Sequence, residues 1–192
     1  LPYSEQRRII GRDIAMIYQE PSRSMDPTAP ILEQLIESIP DSELESSWWG
    51  RPFERRKKAI ALLHKVGIRD HQAIFNSYPY QLPEGVCQKI MIAMAIAKKP
   101  KLLIADEPTT ALDVTLQAQI LDLLQSLQRS RQMAMILISH DLNLVRHYAD
   151  QVIVMNKGQV EEQGPVEQVF HAPQQAYTRE LLHHDFGQAL QV

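Results

Sequence analysis

The chain has 192 residues, with 20 lysines and arginines against 23 acidic residues, and a formal net charge of −3. This length predicts about one domain, and a hydrophobic share of 44% is enough to form a core, which excludes a generally disordered chain. The near-neutral charge argues against a dedicated nucleic-acid binder, which is usually basic. The single cysteine, Cys87, excludes an internal disulfide framework. No apolar run approaches the roughly 20 residues that cross a bilayer.

The pattern of apolar residues predicts helices and strands that follow each other along the chain. Residues 1–13 are polar and charged and give no element, and residues 19–30 are rich in turn formers and predict a loop. Helical spacing and short apolar runs define the other elements. In chain order these are a strand at 13–18, helices at 31–39, 54–66 and 86–99, a strand at 102–105, a helix at 114–131, a strand at 134–138, a helix at 142–149, a strand at 151–155 and its hairpin partner at 159–163.

Three of these elements are predicted to be deeply buried. Helix 86–99 is apolar nearly all round, which at this length favours a buried helix over a strand. The apolar runs at 102–105 and 134–138 predict strands covered on both faces. The succession of strands and helices predicts an α/β parallel sheet flanked by helices, with 151–155 as a further strand of it.

Two carboxylates, Asp106 and Glu107, follow the strand at 102–105. Open parallel sheets bind ligands at the carboxyl ends of their strands. Two adjacent carboxylates can take different roles there: Asp106 can hold Mg²⁺, and Glu107 can orient or deprotonate an attacking water. An acidic helix start after a strand explains the same two residues equally well, so this pattern alone leaves both interpretations open.

Other polar residues take comparable places in the pattern. His140 follows the strand at 134–138, where a histidine can donate to a γ-phosphate, and Gln19 follows the first strand. Residues 82–88 begin the buried helix, and helix N-termini favour anions. Each signal is weak alone, but their combination in this order is specific.

These motifs resemble the nucleotide-binding domain of ABC transporters over essentially the whole chain from residue 13 onward. The matching segments are the Q-loop at 17–21, the signature position at 82–90, the Walker B motif at 102–107, the D-loop Ala111-Leu112-Asp113, and the switch histidine at 139–140. Residues 24–27 and 171–182 narrow the resemblance to the dipeptide and oligopeptide importer branch of the family.

The resemblance implies the fold of a P-loop NTPase, with ATP and Mg²⁺ as its ligands. It implies that Asp106 and Gln19 serve Mg²⁺, that Glu107 and Gln19 act on the attacking water, and that His140 contacts the γ-phosphate. Asp113 would contact nucleotide across a dimer. The implied domain division is 1–26 with the Q-loop, 27–100 as a helical subdomain, 101–158 as the α/β core, and 159–192 as a hairpin with a helical tail.

The sequence departs from the family pattern in two ways. No G-x-x-x-x-G-K-[ST] motif (Walker A) occurs in the 192 residues, which predicts a chain truncated before the Q-loop, without the N-terminal β-subdomain and inactive by itself. The signature, Leu-Ser-Gly-Gly-Gln in the family, is replaced by Leu82, Pro83, Glu84, Gly85 and Val86.

The altered signature predicts two unequal ATP sites. Pro83 has neither a hydroxyl nor an N–H to offer a phosphate, and Glu84 brings a carboxylate towards a polyanion. The site completed by this signature is therefore expected to turn over slowly. The site that uses Glu107 is expected to be active with a P-loop and a normal partner signature.

The function implied by the resemblance is that of the ATP-hydrolysing subunit of a peptide importer linked to the handling of antimicrobial peptides. Its place would be the cytoplasmic face of the bacterial inner membrane. Its partners would be a paralogous ATPase, as a heterodimer or homodimer, and inner-membrane permease subunits, with no nucleic acid expected. Two alternatives stay open: a non-catalytic partner, favoured by the altered signature, and a non-transport ABC ATPase acting on nucleic acid, against which residues 171–182 argue.

Three further features of the sequence each allow a structural and a functional interpretation. The basic run at 51–58 fits a solvated helix start better than an attraction to anionic lipid. Trp48 and Trp49 fit a permease contact and simple packing equally well. Cys87 fits a buried structural thiol better than a reactive one.

Overall fold

The computed structural model of the chain describes residues 2–110 and 112–188. The chain divides into two compact units, Leu1–Ile138 and Ser139–Val192. The four-part division inferred from the resemblance stays a prediction. Within the described residues, no helix combines the length and the apolar character that crossing a membrane requires.

The first unit contains seven helices and three strands among its described residues. In chain order they are α1 (Tyr3–Arg12), β1 (Ile14–Ile17), α2 (Pro21–Ser24), α3 (Ile31–Ser38), α4 (Arg51–Lys65), α5 (Gln72–Phe75), α6 (Glu84–Ala97), β2 (Leu102–Asp106), α7 (Val114–Arg131) and β3 (Ala134–Ile138). Short 3₁₀ turns lie at Asp41–Glu43 and Pro79–Gln81.

The second unit contains three helices and two strands among its described residues. They are α8 (Leu142–Tyr148), β4 (Gln151–Asn156), β5 (Gln159–Pro165), α9 (Val166–His171) and α10 (Ala176–Gln188). Across both units, every predicted element is present, with ends that differ by at most three residues.

Three helices, α1, α2 and α5, lie where the sequence predicted none. Helix α1 was missed because its charged composition suggested a loop, although arginine, glutamate and glutamine are good helix formers. Helix α2 lies inside the predicted loop at 19–30, and it begins with Pro21. Proline breaks a helix interior but suits the first helical position. The N–H at that position makes no hydrogen bond within a helix, so its absence in proline costs nothing.

The sheet of the first unit has the order β1-β2-β3, and both pairs are parallel, which confirms the predicted fold class. In the central strand β2, Leu103 and Ala105 are buried. Strand β3 is not covered on both faces as predicted, because Ile136 and Ile138 are 49% and 45% exposed. One face of β3 is therefore open among the described residues, which an apolar sequence run cannot reveal.

Helix α6 forms the centre of the core of the first unit. It packs against α2, α3, α4 and β1, and Ile90, Ile92 and Ile96 on it are fully buried. Full burial of one such side chain stabilises the fold by about 1.5–3 kcal/mol. The prediction of a helix that is apolar all round because it is buried all round is confirmed.

Strand β4 does not join the parallel sheet, contrary to the prediction for 151–155. It pairs antiparallel with β5 in a separate two-stranded sheet. The turn between them explains this pairing, because Lys157 and Gly158 both have left-handed backbones, with φ of 48° and 79°. Two such residues form the tight turn that matches the twist of an antiparallel hairpin.

The end of α7 generates a stability prediction. The C-cap residue Gln132 has φ 52°, a conformation that glycine adopts without the steric cost of a Cβ. We expect Gln132→Gly to raise the free energy of unfolding by about 0.5 kcal/mol. The matched control Gln125→Gly, inside the same helix, should lower it by about 1 kcal/mol. Urea denaturation measures the free energy of unfolding of both variants. An equal decrease in the two would contradict the left-handed C-cap conformation of Gln132.

Candidate functional site

The first group of predicted site residues lies at one edge of the parallel sheet. Strand β1 pairs with β2 so that Ile17 lies opposite Ala105. Gln19 follows Ile17 by two residues, and Asp106 and Glu107 follow Ala105 directly. Neighbouring strands lie about 4.8 Å apart, so the structure brings Gln19 and the two acidic residues to the same edge. Gln19 is exposed, and both acidic residues are half-buried.

Glu107 has an unusual backbone conformation. Its φ is 46°, which costs a residue other than glycine about 1–3 kcal/mol. The conformation is fixed from two sides: the Glu107 N–H donates to the carbonyl of Ile138 in β3 at 3.0 Å, and the Thr110 hydroxyl donates to Glu107 Oε2 at 2.8 Å. Strain that the surrounding structure maintains in this way is concentrated at functional sites.

The segment after Glu107 is anchored to α7. The side-chain amide of Gln117 donates to the carbonyl of Thr109 at 3.2 Å. Asp113, predicted to contact nucleotide across a dimer, caps α7 by accepting a hydrogen bond from the Leu116 N–H at 3.0 Å. Ala111, which belongs to the same predicted D-loop, lies outside the described residues.

The cap at Asp113 gives a test of the structural role of this residue. We expect Asp113→Ala to lower the free energy of unfolding by about 1 kcal/mol, because it leaves an N–H of the first turn of α7 without its cap. Asp113→Asn retains a capping oxygen and should leave the stability unchanged. Thermal unfolding followed by circular dichroism measures both, and wild-type stability of Asp113→Ala would show that the cap contributes nothing.

The second group, residues 82–86, spans the approach to α6 and its first turn. Pro83 is the N-cap residue, and its carbonyl accepts hydrogen bonds from the N–H groups of Val86 and Cys87 at 2.9 and 3.0 Å. Glu84 begins the helix, where its negative charge interacts favourably with the helix dipole. Leu82 is half-buried, and Pro83 is exposed. Residues 82–86 therefore form a favourable helix N-terminus.

Gly85 places the starts of α6 and α7 in close contact. It is buried, and a Cβ at this position would overlap the side chain of Leu116 in α7. Leu116 also donates the hydrogen bond that Asp113 accepts. The structure thus brings the second group and Asp113 into one region of the first unit.

The chain after β1 is tied to α6 at two points. The N–H of Tyr18 contacts Met91 Sδ at 3.2 Å, and the Ser22 hydroxyl donates to Glu84 Oε1 at 3.4 Å. Gln19 lies between these two contacts in sequence. The segment that carries Gln19 and the segment that carries Glu84 are therefore held together within the first unit.

His140 belongs to the second unit and follows the end of β3 by two residues. It is exposed. The next residue, Asp141, caps α8 by accepting hydrogen bonds from the N–H groups of Asn143 and Leu144 at 2.9 and 3.3 Å. The role of His140 at a γ-phosphate stays a prediction.

Cys87 is a buried structural thiol, as the sequence favoured. It is fully buried, and its thiol donates to the carbonyl of Pro79 at 3.4 Å. Burial raises the pKa of the Cys87 thiol to about 11, and the charge of Glu84 acts in the same direction. The reactive thiolate is therefore scarce at neutral pH.

Sequence reasoning missed two residues that shape the site. Thr110 orients the Glu107 carboxylate, and its position three residues after an acidic residue at a strand end is the signal that points to it. Leu116 is the residue that requires glycine at position 85. No local pattern reveals that contact, because its partners are 31 residues apart.

The parallel sheet with its flanking helices has the fold of the ATP-binding cassettes. The fold is similar to the dimeric structure of the ATP-binding cassette MJ0796 in a post-hydrolysis state with ADP and Pi. The TM-score is 0.71 at 28% identity, and the match covers 86% of this chain and 68% of that one.

The chain belongs to the ABC transporter family, whose model matches residues 2–110. It is 43% identical over 188 residues to the peptide transport system ATP-binding protein SapD of Escherichia coli O6:H1, covering 97% of this chain and 57% of SapD. It is 49% identical over 178 residues to the dipeptide transport ATP-binding protein DppD of Escherichia coli K12, covering 93% of this chain and 53% of DppD. The chain thus spans about half the length of these relatives, and the resemblance to the peptide-importer branch is confirmed.

Proposed function

We propose that this chain is part of the ATP-hydrolysing subunit of an ABC importer for peptides. The observation that carries the proposal is the sheet edge that presents Gln19, Asp106 and Glu107, with Glu107 held in a strained backbone conformation. The family match and the printed functions of SapD and DppD support the reaction and the substrate class.

In the proposed reaction, water attacks the γ-phosphorus of ATP, and the bond from that phosphorus to the bridging oxygen breaks, giving ADP and phosphate. Glu107 orients the water and accepts its proton. Gln19 helps to position the same water, and His140 donates a hydrogen bond to a γ-phosphate oxygen. Asp113 contacts the nucleotide that the partner ATPase of the dimer holds.

Magnesium fits the side chains at this edge. Mg²⁺ in nucleotide sites usually takes one or two protein carboxylates together with phosphate oxygens and water. Within the described part of the chain, no cluster of three or more histidine, cysteine or acidic side chains can hold a metal ion. Asp106 and the amide oxygen of Gln19, which lie at the same edge of the sheet, would hold Mg²⁺ together with the nucleotide. When bound, the ion supplies neutralisation of the phosphate charge.

Replacing Glu107 tests the proposed reaction. In the full protein with its partner subunits, we expect Glu107→Gln to lower ATP turnover by at least about 100-fold, since a positioned base contributes about that much. Nucleotide binding should be retained, because glutamine keeps the shape of the side chain. Phosphate release and nucleotide-binding assays measure the two effects.

The control for this test is Glu167→Gln, because that carboxylate lies on α9 and is 85% exposed. The control should leave turnover unchanged. Turnover near the wild-type value in Glu107→Gln would show that Glu107 is not the base.

The altered signature supports the proposal of two unequal ATP sites. Pro83 and Glu84 stand where the family has serine and glycine, and the Glu84 carboxylate would approach the phosphates bound by the partner ATPase. Like charges near a protein surface repel by about 4 kcal/mol at 4 Å. The partner's nucleotide is therefore bound and hydrolysed poorly.

Restoring the family signature should activate that second site. We expect Pro83→Ser combined with Glu84→Gly to raise ATP turnover of the assembled dimer at least about tenfold when Glu107→Gln silences the first site. Glu84→Gln alone removes the charge but not the proline, so it should give a smaller gain. Unchanged turnover in a stably folded double variant would contradict the proposed role of the signature.

A non-catalytic subunit is the second candidate function, and Pro83 with Glu84 is the observation that favours it. In that case the chain only completes a dimer, and Glu107→Gln leaves turnover unchanged. The partners we propose are a paralogous ATPase and inner-membrane permease subunits, and the proposed location is the cytoplasmic face of the bacterial inner membrane.

A further inference from the structure

Three large aromatic side chains lie exposed within six residues at the start of α4. Trp48, Trp49 and Phe53 are 64%, 77% and 78% exposed, and together they form what we name the aromatic patch. The two indole ring centroids are 3.9 Å apart. The proposed ATP reaction does not use any of these residues. Clustered exposed apolar surface of this kind marks an interaction site.

The loop that carries the tryptophans has a fixed structure. The Glu54 carboxylate accepts hydrogen bonds from the N–H groups of Glu45 and Ser46 at 3.0 and 2.9 Å and pairs with Lys58 at 3.2 Å. These backbone N–H groups lower the pKa of Glu54 to about 2. A Cβ at Gly50 would lie 3.0 Å from Ser46 Cβ, so the loop is also tightly closed. The two indole rings are thus exposed to solvent on a loop that hydrogen bonds and close packing hold in one conformation.

Positive charge lies next to the aromatic patch. Arg56 and Lys57 follow Phe53 by three and four residues, so they share its face of α4, and both are exposed. The nearby Asp41 is already paired with Arg55 and with a second arginine. Glu45 is the exposed acidic residue of the loop. The outer face of the first turns of α4 is therefore aromatic and cationic.

We propose that the aromatic patch, together with Arg56 and Lys57, docks onto the surface of a bilayer that contains anionic phospholipid. Indole rings favour the membrane–water interface, where their apolar part leaves water and their N–H stays hydrated. Exposed lysine and arginine side chains are attracted by anionic headgroups. The two chemistries occur side by side here, and this surface is distinct from the sheet edge with Glu107.

Intrinsic fluorescence gives a specific test. Trp48 and Trp49 are the two tryptophans of the 192 residues, so the part of the tryptophan emission that is lost when both are replaced by phenylalanine reports on the aromatic patch. We expect vesicles of phosphatidylcholine mixed with phosphatidylglycerol to shift this emission to shorter wavelength. Pure phosphatidylcholine vesicles should give a much smaller shift, and high salt should reduce the effect of the anionic vesicles.

Variants separate the aromatic and cationic contributions. We expect Arg56→Gln combined with Lys57→Gln to weaken partition into the anionic vesicles about 30-fold. Trp48→Ser combined with Trp49→Ser should abolish co-sedimentation with the vesicles. The matched controls Tyr3→Ser and Arg23→Gln change exposed side chains elsewhere, 75% and 80% exposed, and should sediment like the wild type. Circular dichroism verifies that each variant is folded.

Three outcomes would overturn the proposal. The first is an absence of any emission shift with anionic vesicles. The second is equal partition into neutral and anionic vesicles, and the third is wild-type sedimentation of the folded tryptophan double variant. A chain that ignores vesicles but binds isolated permease subunits in detergent would show that the aromatic patch serves a protein partner instead.

Discussion

The parallel pairing of β1 with β2 is the constraint on which the candidate site depends. It fixes the register of two strands that are far apart in the sequence, and it brings Gln19 to the edge where Asp106 and Glu107 emerge. Helix α6 packs against β1 on this sheet. A shift of one residue in that register would turn every side chain of β1 to the opposite face of the sheet.

Helix α6 connects the two groups of site residues. Its middle contacts Tyr18 through Met91, and its first residue, Glu84, accepts a hydrogen bond from Ser22. Its buried isoleucines hold the helix in the core. The segment around Gln19 and the start of α6 are therefore in direct contact within the first unit.

Much of this architecture follows from local sequence patterns. The bounds of α7 were predicted to the residue, because Asp113 is a good N-cap residue and the apolar spacing is regular. The candidate site residues were proposed because strand ends followed by a glutamine, paired carboxylates and a histidine occur in the order that the family shows. The left-handed backbone of Glu107 was not predictable, since it is imposed by hydrogen bonds to Ile138 and Thr110. The hairpin of β4 and β5 was predicted, but the placement of β4 in the parallel sheet was wrong because strand order was inferred from chain order.

Glu84 in the altered signature favours the helix that it begins, but it opposes phosphate binding at the position where the family has glycine. A glutamate at the first residue of α6 interacts favourably with the helix dipole, and a glycine there would cost about 1 kcal/mol of helix stability. The same carboxylate brings negative charge to a helix start, where free N–H groups would otherwise favour a phosphate. Ser22 then ties this carboxylate to the segment that follows Gln19. The start of α6 therefore holds two segments of the first unit together through this hydrogen bond.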